Sequence, residues 1–223
     1  PIAQAGARLT LPTANLLAAY DARVGVTDDG SGLCSAWADQ SGNGRHAVMD
    51  TSSKRPLITS TGGFPSLLFD GVDDCFSVSS AASSVGTKTL YCVINPTGFT
   101  GSYDLLFDTD GWPSGTRWAA GKLPSGQWGQ FDGTGRSLGI AATTGLKRVA
   151  FEARTGASNV WVNGVQGTPA GWTASTALGS LSIIGAHYGS GALFFKGHIL
   201  WMGIYGAAHD TAVEAYITQE WGV

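Results

Sequence analysis

Charge of either sign is scarce in this chain of 223 residues. Asp, Glu, Lys and Arg make up 13% of it, and the formal net charge is −3. That charged share is about half of what globular domains usually carry. The only adjacent basic pairs are Lys54-Arg55 and Lys147-Arg148. Because nucleic-acid binding depends on clustered basic residues, the sequence argues against a nucleic-acid partner.

Long apolar runs and paired cysteines are also missing. No run approaches the roughly 18 apolar residues of a membrane helix, so we predict no membrane insertion. The first residues lack the basic region and continuous apolar stretch of a signal peptide, and none is expected. Three cysteines (Cys34, Cys75 and Cys92) are too few for a disulfide framework. They leave open one bridge plus a free thiol, or three buried free thiols.

Helix-favouring residues are sparse, and glutamate occurs only at Glu152, Glu214 and Glu220. Glycine is abundant instead: its 33 residues are about twice the usual share. Ser, Thr and aromatic residues are frequent too, which is typical of short strands joined by many turns. We predict an all-β protein with an N-terminal arm over residues 1–15 and one domain over residues 16–223.

Turn signals divide the chain into strands at spacings near ten residues, a pattern that favours a β-sandwich. Asn163-Gly164 predicts a hairpin with a type I′ turn, since Asn and Gly accept the two positive φ angles of that turn. Gly71–Asp74 lies between the predicted strands Ser66–Asp70 and Cys75–Ser79. Its Gly and Asp residues predict a second hairpin-like connection.

One helix is predicted, at the C-terminal end. Thr211 and Glu214 fit a capping box, in which each side chain bonds the other's backbone N–H. Gly222 is suited to end the helix. Four apolar residues then recur at helical spacing and define one face: Val213, Tyr216, Ile217 and Trp221.

Four motifs occur in order along the chain. They are WADQSGNGRHA over 37–47, LLFDGVDD over 67–74, VWVNGV over 160–165, and a C-terminal group over 183–205. Together they resemble the laminin-G-like jelly-roll domains of the concanavalin A-like lectin/glucanase superfamily. The resemblance implies a two-sheet antiparallel jelly-roll sandwich with one short C-terminal helix. It does not fix a function, because this fold hosts lectins, hydrolases, lyases and scaffolds.

The sequence does not supply the carboxylates of a glycoside hydrolase. Such an enzyme needs a nucleophile and a general acid facing each other, about 5–5.5 Å apart for a retaining mechanism. Glu152 stands alone on its predicted strand, whereas Glu214 and Glu220 belong to the predicted helix. We therefore predict a protein that is not an enzyme, with a polysaccharide hydrolase or lyase as the less favoured alternative.

Tryptophans in polar, glycine-rich surroundings are the main sign of a binding function. A flat indole stacks on the apolar face of a sugar ring, while neighbouring polar side chains bond its hydroxyl groups. The alternative is that these rings fill the sandwich or a subunit interface. The predicted carbohydrate-binding residues are Trp112, Arg117, Trp118, Gln127, Trp128 and Asp132.

Acidic residues in turns suggest a calcium site. Calcium prefers carboxylate and carbonyl oxygens, and Asp73 and Asp74 are the best candidates to supply them. Asp28-Asp29, Asp39 with Asn43, and Asp70 are further candidates. The alternative is that these side chains fix turns by accepting bonds from nearby backbone N–H groups.

Three functional hypotheses follow. The first is a surface module of a bacteriophage particle, a head decoration or a tail or fibre protein, that binds cell-surface or capsule glycans. In that hypothesis the arm 1–15 contacts other virion subunits, and the chain forms a homo-oligomer. The second is a secreted bacterial lectin or carbohydrate-binding module. The third is a polysaccharide-active enzyme.

Overall fold

Strands make up most of the secondary structure. The computed structural model describes residues 10–79, 86–109, 117–132, 134–172, 181–187 and 193–223. In chain order the strands begin with β1 (Leu16–Asp21), β2 (Val26–Asp28), β3 (Cys34–Trp37), β4 (Ala47–Val48), β5 (Leu57–Thr61), β6 (Phe64–Asp70), β7 (Phe76–Ser79), β8 (Lys88–Pro96) and β9 (Asp104–Thr109). They continue with β10 (Ala119–Lys122), β11 (Gln127–Phe131), β12 (Gly135–Ala141), β13 (Lys147–Arg154), β14 (Ala157–Val162), β15 (Val165–Gln166), β16 (Leu181–Ile184) and β17 (Lys196–Tyr205). A 3-10 turn (Ser52–Lys54) and a C-terminal helix, α1 (Thr211–Trp221), complete the elements of the described residues.

The strands form two antiparallel sheets, as the all-β jelly-roll prediction requires. The first sheet has eight strands in the order β15-β14-β13-β8-β17-β6-β5, with β1 also pairing to β17. The second has nine strands in the order β12-β11-β10-β9-β16-β7-β4-β3-β2. Apolar side chains of both sheets meet in one large core, which includes Trp37, Phe69, Phe107, Trp118 and Phe151. The predicted fold class is therefore confirmed.

Helix α1 packs on the outer face of the eight-stranded sheet. Val213, Ile217 and Trp221 are buried in a second apolar cluster that also contains Tyr91 and Trp201 of the sheet. The predicted apolar face is confirmed, and Gly222 ends the helix in the left-handed conformation with φ 70°. Burial of this face stabilises the helix more than its intrinsic propensity does.

The helix starts differently from the capping box predicted for Thr211 and Glu214. Asp210 is the N-cap, and its side chain accepts the Ala212 N–H at 2.8 Å. The Glu214 carboxylate instead contacts Arg148 and His209. The capping-box prediction is wrong because Arg148, on the sheet beneath the helix, takes the Glu214 carboxylate, and the local sequence does not reveal this partner.

The two turn predictions had different outcomes. Asn163 and Gly164 adopt φ angles of 50° and 80°, and they join β14 to β15 as the type I′ prediction requires. Gly71–Asp74 joins β6 of the eight-stranded sheet to β7 of the nine-stranded sheet, and these two strands do not pair with each other. The hairpin prediction is wrong here, because the turn chemistry of Gly and Asp equally suits a connection that crosses between sheets.

The end of the N-terminal arm lies on its own domain. The Tyr205 hydroxyl donates to the Pro12 carbonyl at 2.8 Å, and Leu11 packs against the apolar cluster under α1. Residues 1–9 lie outside the described residues. Cys34, Cys75 and Cys92 are all buried free thiols, which decides between the two alternatives left by the sequence. No helix in the described part of the chain is long and apolar enough to cross a membrane.

Candidate functional site

The outer face of the nine-stranded sheet carries a cluster of charged and aromatic side chains. Asp108 on β9 lies opposite Ala119 on β10, and Ala119 lies opposite Phe131 on β11. Residues directly opposite one another in a sheet point to the same side. The next set in register, Phe107 and Ala120, points into the core. Asp108 and Phe131 therefore share the face that points away from the core.

Asp108 and Arg117 form the centre of this cluster. The Arg117 Nε lies 2.8 Å from one Asp108 carboxylate oxygen, and its Nη2 lies 2.6 Å from the other. The Asp108 side chain has no exposed surface, and that of Arg117 is 6% exposed. A bidentate, charge-assisted pair of this kind fixes the orientation of both planar groups.

An imidazole and an aromatic ring complete the cluster. The His187 Nδ1 lies 3.7 Å from the Asp108 carboxylate, and the His187 side chain is 16% exposed. The Arg117 guanidinium carbon lies 4.7 Å from the centre of the half-buried Phe131 ring. The edge of Tyr103 packs on that same ring, with 6.0 Å between the centroids. We call Asp108, Arg117, Phe131 and His187 the outer-face cluster.

A second ion pair lies at the edge of the same sheet but on its inner side. Arg136 lies directly opposite Gln130, whose side chain points into the sandwich, and Asp132 is two residues from Gln130 along the chain, so both point away from the side of Phe131. The Arg136 Nη2 lies 3.2 Å from the Asp132 carboxylate, and the Arg136 side chain is 22% exposed. The outer-face cluster itself combines a carboxylate, a guanidinium, an imidazole and an aromatic ring. Such a set can donate hydrogen bonds, accept them and cover an apolar ring face.

The structure separates the residues that the sequence grouped as carbohydrate-binding. Arg117 belongs to the outer-face cluster, whereas Asp132 points to the inner side of the sheet, where it pairs with Arg136. Gln127 lies at the far end of β11, where its side chain accepts the Gly139 N–H at 3.3 Å. Trp112 lies outside the described residues. Asp108, Phe131 and His187 were missed. They come from distant parts of the chain, and only the pairing of β16 with β9, and of β9, β10 and β11 with one another, brings them together.

Trp118 and Trp128 are core residues, which corrects the prediction that they stack on sugars. Both side chains are 0% exposed and pack in the core between the sheets. The Trp118 Nε1 donates to the Gln130 side chain at 2.7 Å, and the Gln130 amide bonds the carbonyls of Glu152 and Asn159 in the opposite sheet. A fully buried ring offers no face to a sugar.

The acidic turn after β6 brings three carboxylates together. Oxygen atoms of Asp70, Asp73 and Asp74 all lie within 4.8 Å of one another, and this is the only such group among the described residues. Asp74 Oδ2 accepts the Asp70 N–H at 2.8 Å. Burial, together with the charges of Asp70 and Asp73, raises the pKa of Asp74 to about 6. A divalent cation would relieve this repulsion with hard oxygen ligands of the type that calcium takes.

The other calcium candidates form hydrogen bonds with backbone groups in their own turns and in nearby strands. Asp39 accepts backbone N–H bonds from Ala19, Ser41 and Arg45, all at about 3 Å. The Asn43 amide donates to the carbonyls of residues 16 and 17. Asp28 and Asp29 accept N–H groups of the turn that follows them. These contacts are those of the turn-fixing alternative.

No protein-family model and no curated protein sequence matches the chain. Solved structures do. Domain 4 of the extracellular GH43 arabinanase AbnA from Geobacillus stearothermophilus matches with a TM-score of 0.66 at 17% identity, over 91% of this chain and 97% of that one. The Trypanosoma rangeli sialidase matches with a TM-score of 0.66 at 15% identity, over 99% of this chain. Botulinum neurotoxin type C matches with a TM-score of 0.62 at 10% identity, over 92% of this chain.

These likenesses concern the fold. The chain spans 36% of the sialidase and 51% of the neurotoxin chain, so it matches only part of each. It spans nearly all of the arabinanase domain. At such low identity no residue role is transferred from these proteins to this chain. The comparisons therefore agree with the two-sheet sandwich, and membership of the concanavalin A-like superfamily stays a prediction.

Proposed function

We propose that this chain is a glycan-binding β-sandwich domain whose ligand contacts the outer face of the nine-stranded sheet. The observation that carries the proposal is the outer-face cluster. Its buried Arg117–Asp108 pair lies beside the Phe131 ring, and the His187 imidazole reaches the surface next to it. An imidazole beside a half-buried aromatic ring suits the hydroxyl groups and the C–H face of a sugar.

The similar structures support this proposal indirectly. The arabinanase domain was solved in complex with arabinotriose, and the sialidase in complex with sialic acid. The cell entry of the neurotoxin is described as dependent on two ganglioside molecules. Sandwiches of this shape thus occur in proteins that bind sugars. We place this chain among non-catalytic binding domains because the outer-face cluster pairs its carboxylate with a guanidinium.

The biological setting is a finer proposal. A bacteriophage particle surface, with the arm 1–15 contacting other subunits of a homo-oligomer, stays our first hypothesis, and a secreted bacterial lectin or carbohydrate-binding module is the alternative. Low charge and abundant Gly, Ser and Thr support the first hypothesis. Both settings use the same domain to bind glycans, so the binding experiment comes before any experiment on assembly.

A glycan array tests the function. We expect saturable binding of the wild-type protein to at least one glycan class and a loss of about tenfold or more in affinity for His187→Ala. Arg154→Ala is the matched control, because Arg154 is 52% exposed and lies on the other sheet. Binding that His187→Ala and Phe131→Ala both leave unchanged would overturn the proposed location.

The array result also distinguishes a glycan-binding domain from the alternative functions. A protein that binds no glycan at all would overturn the proposed function. Incubation of any bound polysaccharide with the protein then tests the enzyme alternative. Release of shorter products, stopped by His187→Ala and not by Arg154→Ala, would replace the binding proposal by a polysaccharide-active enzyme.

A further inference from the structure

A cavity of about 310 Å³ lies on the other sheet, away from the outer-face cluster. It opens between the end of the arm, the turn after β1, strand β17 and helix α1. Its volume is at the small end of the range of about 300–1,000 Å³ in which small-molecule sites fall. A cavity of this size suits a single ring rather than a long chain.

Polar groups of both kinds line this cavity. The Arg23 guanidinium lies between two carboxylates, with Nη2 2.6 Å from Asp21 and Nη1 2.8 Å from Glu220. Arg23 also lies over the Trp221 ring, 4.2 Å from its centre. Burial by itself would lower the pKa of Arg23, but the bonds to Asp21 and Glu220 outweigh it and raise the pKa, so Arg23 stays charged. The exposed Gln40 side chain contributes an amide, which both donates and accepts.

Apolar and aromatic groups form the rest of the lining. Trp201 and Tyr216 lie against each other, with 5.9 Å between their ring centres, and both are almost fully buried. Leu11 and Val24 border the opening, and Val24 is 50% exposed. Burial raises the pKa of the Tyr216 phenol, so its hydroxyl group keeps its proton at neutral pH.

The geometry points to a second ligand site here, which takes one neutral pyranose ring. Each hydroxyl group of a sugar both donates and accepts, and the lining offers a guanidinium, two carboxylates, an amide and a phenol. The carbon face of the ring would lie on the aliphatic side chains at the opening, Leu11 and Val24. A free ammonium ligand fits less well, because Arg23 stands between the two carboxylates that would attract it. This site does not depend on the proposed function of the outer-face cluster.

Amide chemical shifts in a ¹H–¹⁵N NMR titration test the site. The probes are the methyl α-pyranosides of glucose, galactose and mannose, added singly to the full chain. We expect at least one to shift the amides of Val24, Gln40 and Tyr216 saturably, with an affinity in the millimolar range. Shifts confined to Phe131 and His187 would report the outer-face cluster instead and would overturn this inference while supporting the other site.

Two variants make the test specific. Val24→Trp fills the opening and should weaken the saturable binding by about tenfold or more. Val165→Trp is the matched control, since Val165 is 66% exposed and lies in the β14–β15 hairpin. Binding that survives Val24→Trp, no saturable shift with any pyranoside, or shifts seen only with a cationic amino sugar would each overturn the assignment.

Discussion

The ammonium nitrogen of Lys88 lies 5.6 Å from the centre of the Trp118 ring, inside the sandwich. Lys88 is only 1% exposed. Among the described residues it has no hydrogen-bond partner and no ion pair, and burial lowers its pKa to about 8. Lys147 offers a contrast: it is also buried, but it donates to Thr143 O, Thr143 Oγ1 and Thr144 O.

Replacing Lys88 by an apolar side chain of similar length should stabilise the protein. We expect Lys88→Met to raise the free energy of unfolding by about 1–2 kcal/mol at pH 7, because burial of the charged ammonium group is costly, as its lowered pKa indicates. Lys147→Met should lower it by about 1–3 kcal/mol, since three acceptors lose their donor. Urea unfolding of the three proteins measures both effects. A loss of stability in Lys88→Met equal to that in Lys147→Met would contradict the contrast.

The stabilisation by Lys88→Met should depend on pH. As pH falls from 10.5 to about 8, the unfolded chain binds a proton at Lys88 that the folded chain does not. The free energy of unfolding of the wild-type protein therefore falls as pH falls across this window. Below about pH 8 Lys88 lowers it no further. The advantage of Lys88→Met should be larger at pH 7 than near pH 10. An equal advantage at both pH values would contradict the role of the charge.

Trp118 and Trp128 should respond differently to phenylalanine. Trp118→Phe leaves the buried Gln130 Oε1 without the donor that now lies 2.7 Å away, whereas the Trp128 Nε1 has no hydrogen-bond partner among the described residues. Both changes remove similar ring volume from the core. Trp118→Phe should therefore cost about 1–2 kcal/mol more than Trp128→Phe in the free energy of unfolding measured in urea. Equal costs would contradict a bridging role of Gln130 between the sheets.

Calcium at Asp70, Asp73 and Asp74 is testable by thermal unfolding. If the ion binds, calcium should raise the midpoint of the wild-type protein by a few degrees at pH 7, and EDTA should reverse the rise. Because metal and proton compete for the carboxylates, the rise should shrink below pH 6, near the raised pKa of Asp74. Asp74→Asn should abolish it, and the exposed Asp50→Asn should keep it. A rise retained by Asp74→Asn would exclude this site.

Glu214 should stabilise the docked helix in a pH-dependent way. Burial alone would raise the pKa of its carboxyl, but the bonds from His209 and Arg148 outweigh burial and hold the pKa below 4.5. The stabilisation is therefore present above pH 4.5 and is lost as pH falls through the lowered pKa. Glu214→Gln should cost about 1–3 kcal/mol at pH 7 and much less near pH 3. Thr218→Ala, exposed on the same helix, serves as the control in the urea titrations.

Local chemistry explains which parts of the fold could be predicted from the sequence. The Asn163-Gly164 turn, the apolar face of α1 and the stop at Gly222 depend on residues close together in the chain. The strand content follows from composition in the same way. Where a distant partner decides, prediction failed: Glu214 binds Arg148 and His209 instead of capping the helix, and Asp210 takes the cap.

The candidate site shows the same division. Arg117 and Asp132 were predicted as binding residues; the structure places Arg117 against Phe131, whereas Asp132 pairs with Arg136 on the inner side of the sheet. Trp118 and Trp128 have polar, glycine-rich neighbours in sequence, yet strand alternation directs their rings into the core. Asp108 and His187 could not be assigned from the sequence, because their neighbours across the sheet belong to other strands.

The sequence by itself determined the all-β fold class of this protein. Its strand spacing, the Asn163-Gly164 turn and the C-terminal helix follow from short-range propensities and from the pattern of apolar residues. Only the tertiary structure decided which side chains face the core, that Gly71–Asp74 crosses between sheets, and which charges meet on the outer face. The physical reason is that strand pairing brings together residues far apart in the chain. A shift of one residue in register would exchange the buried face of a strand for the exposed one.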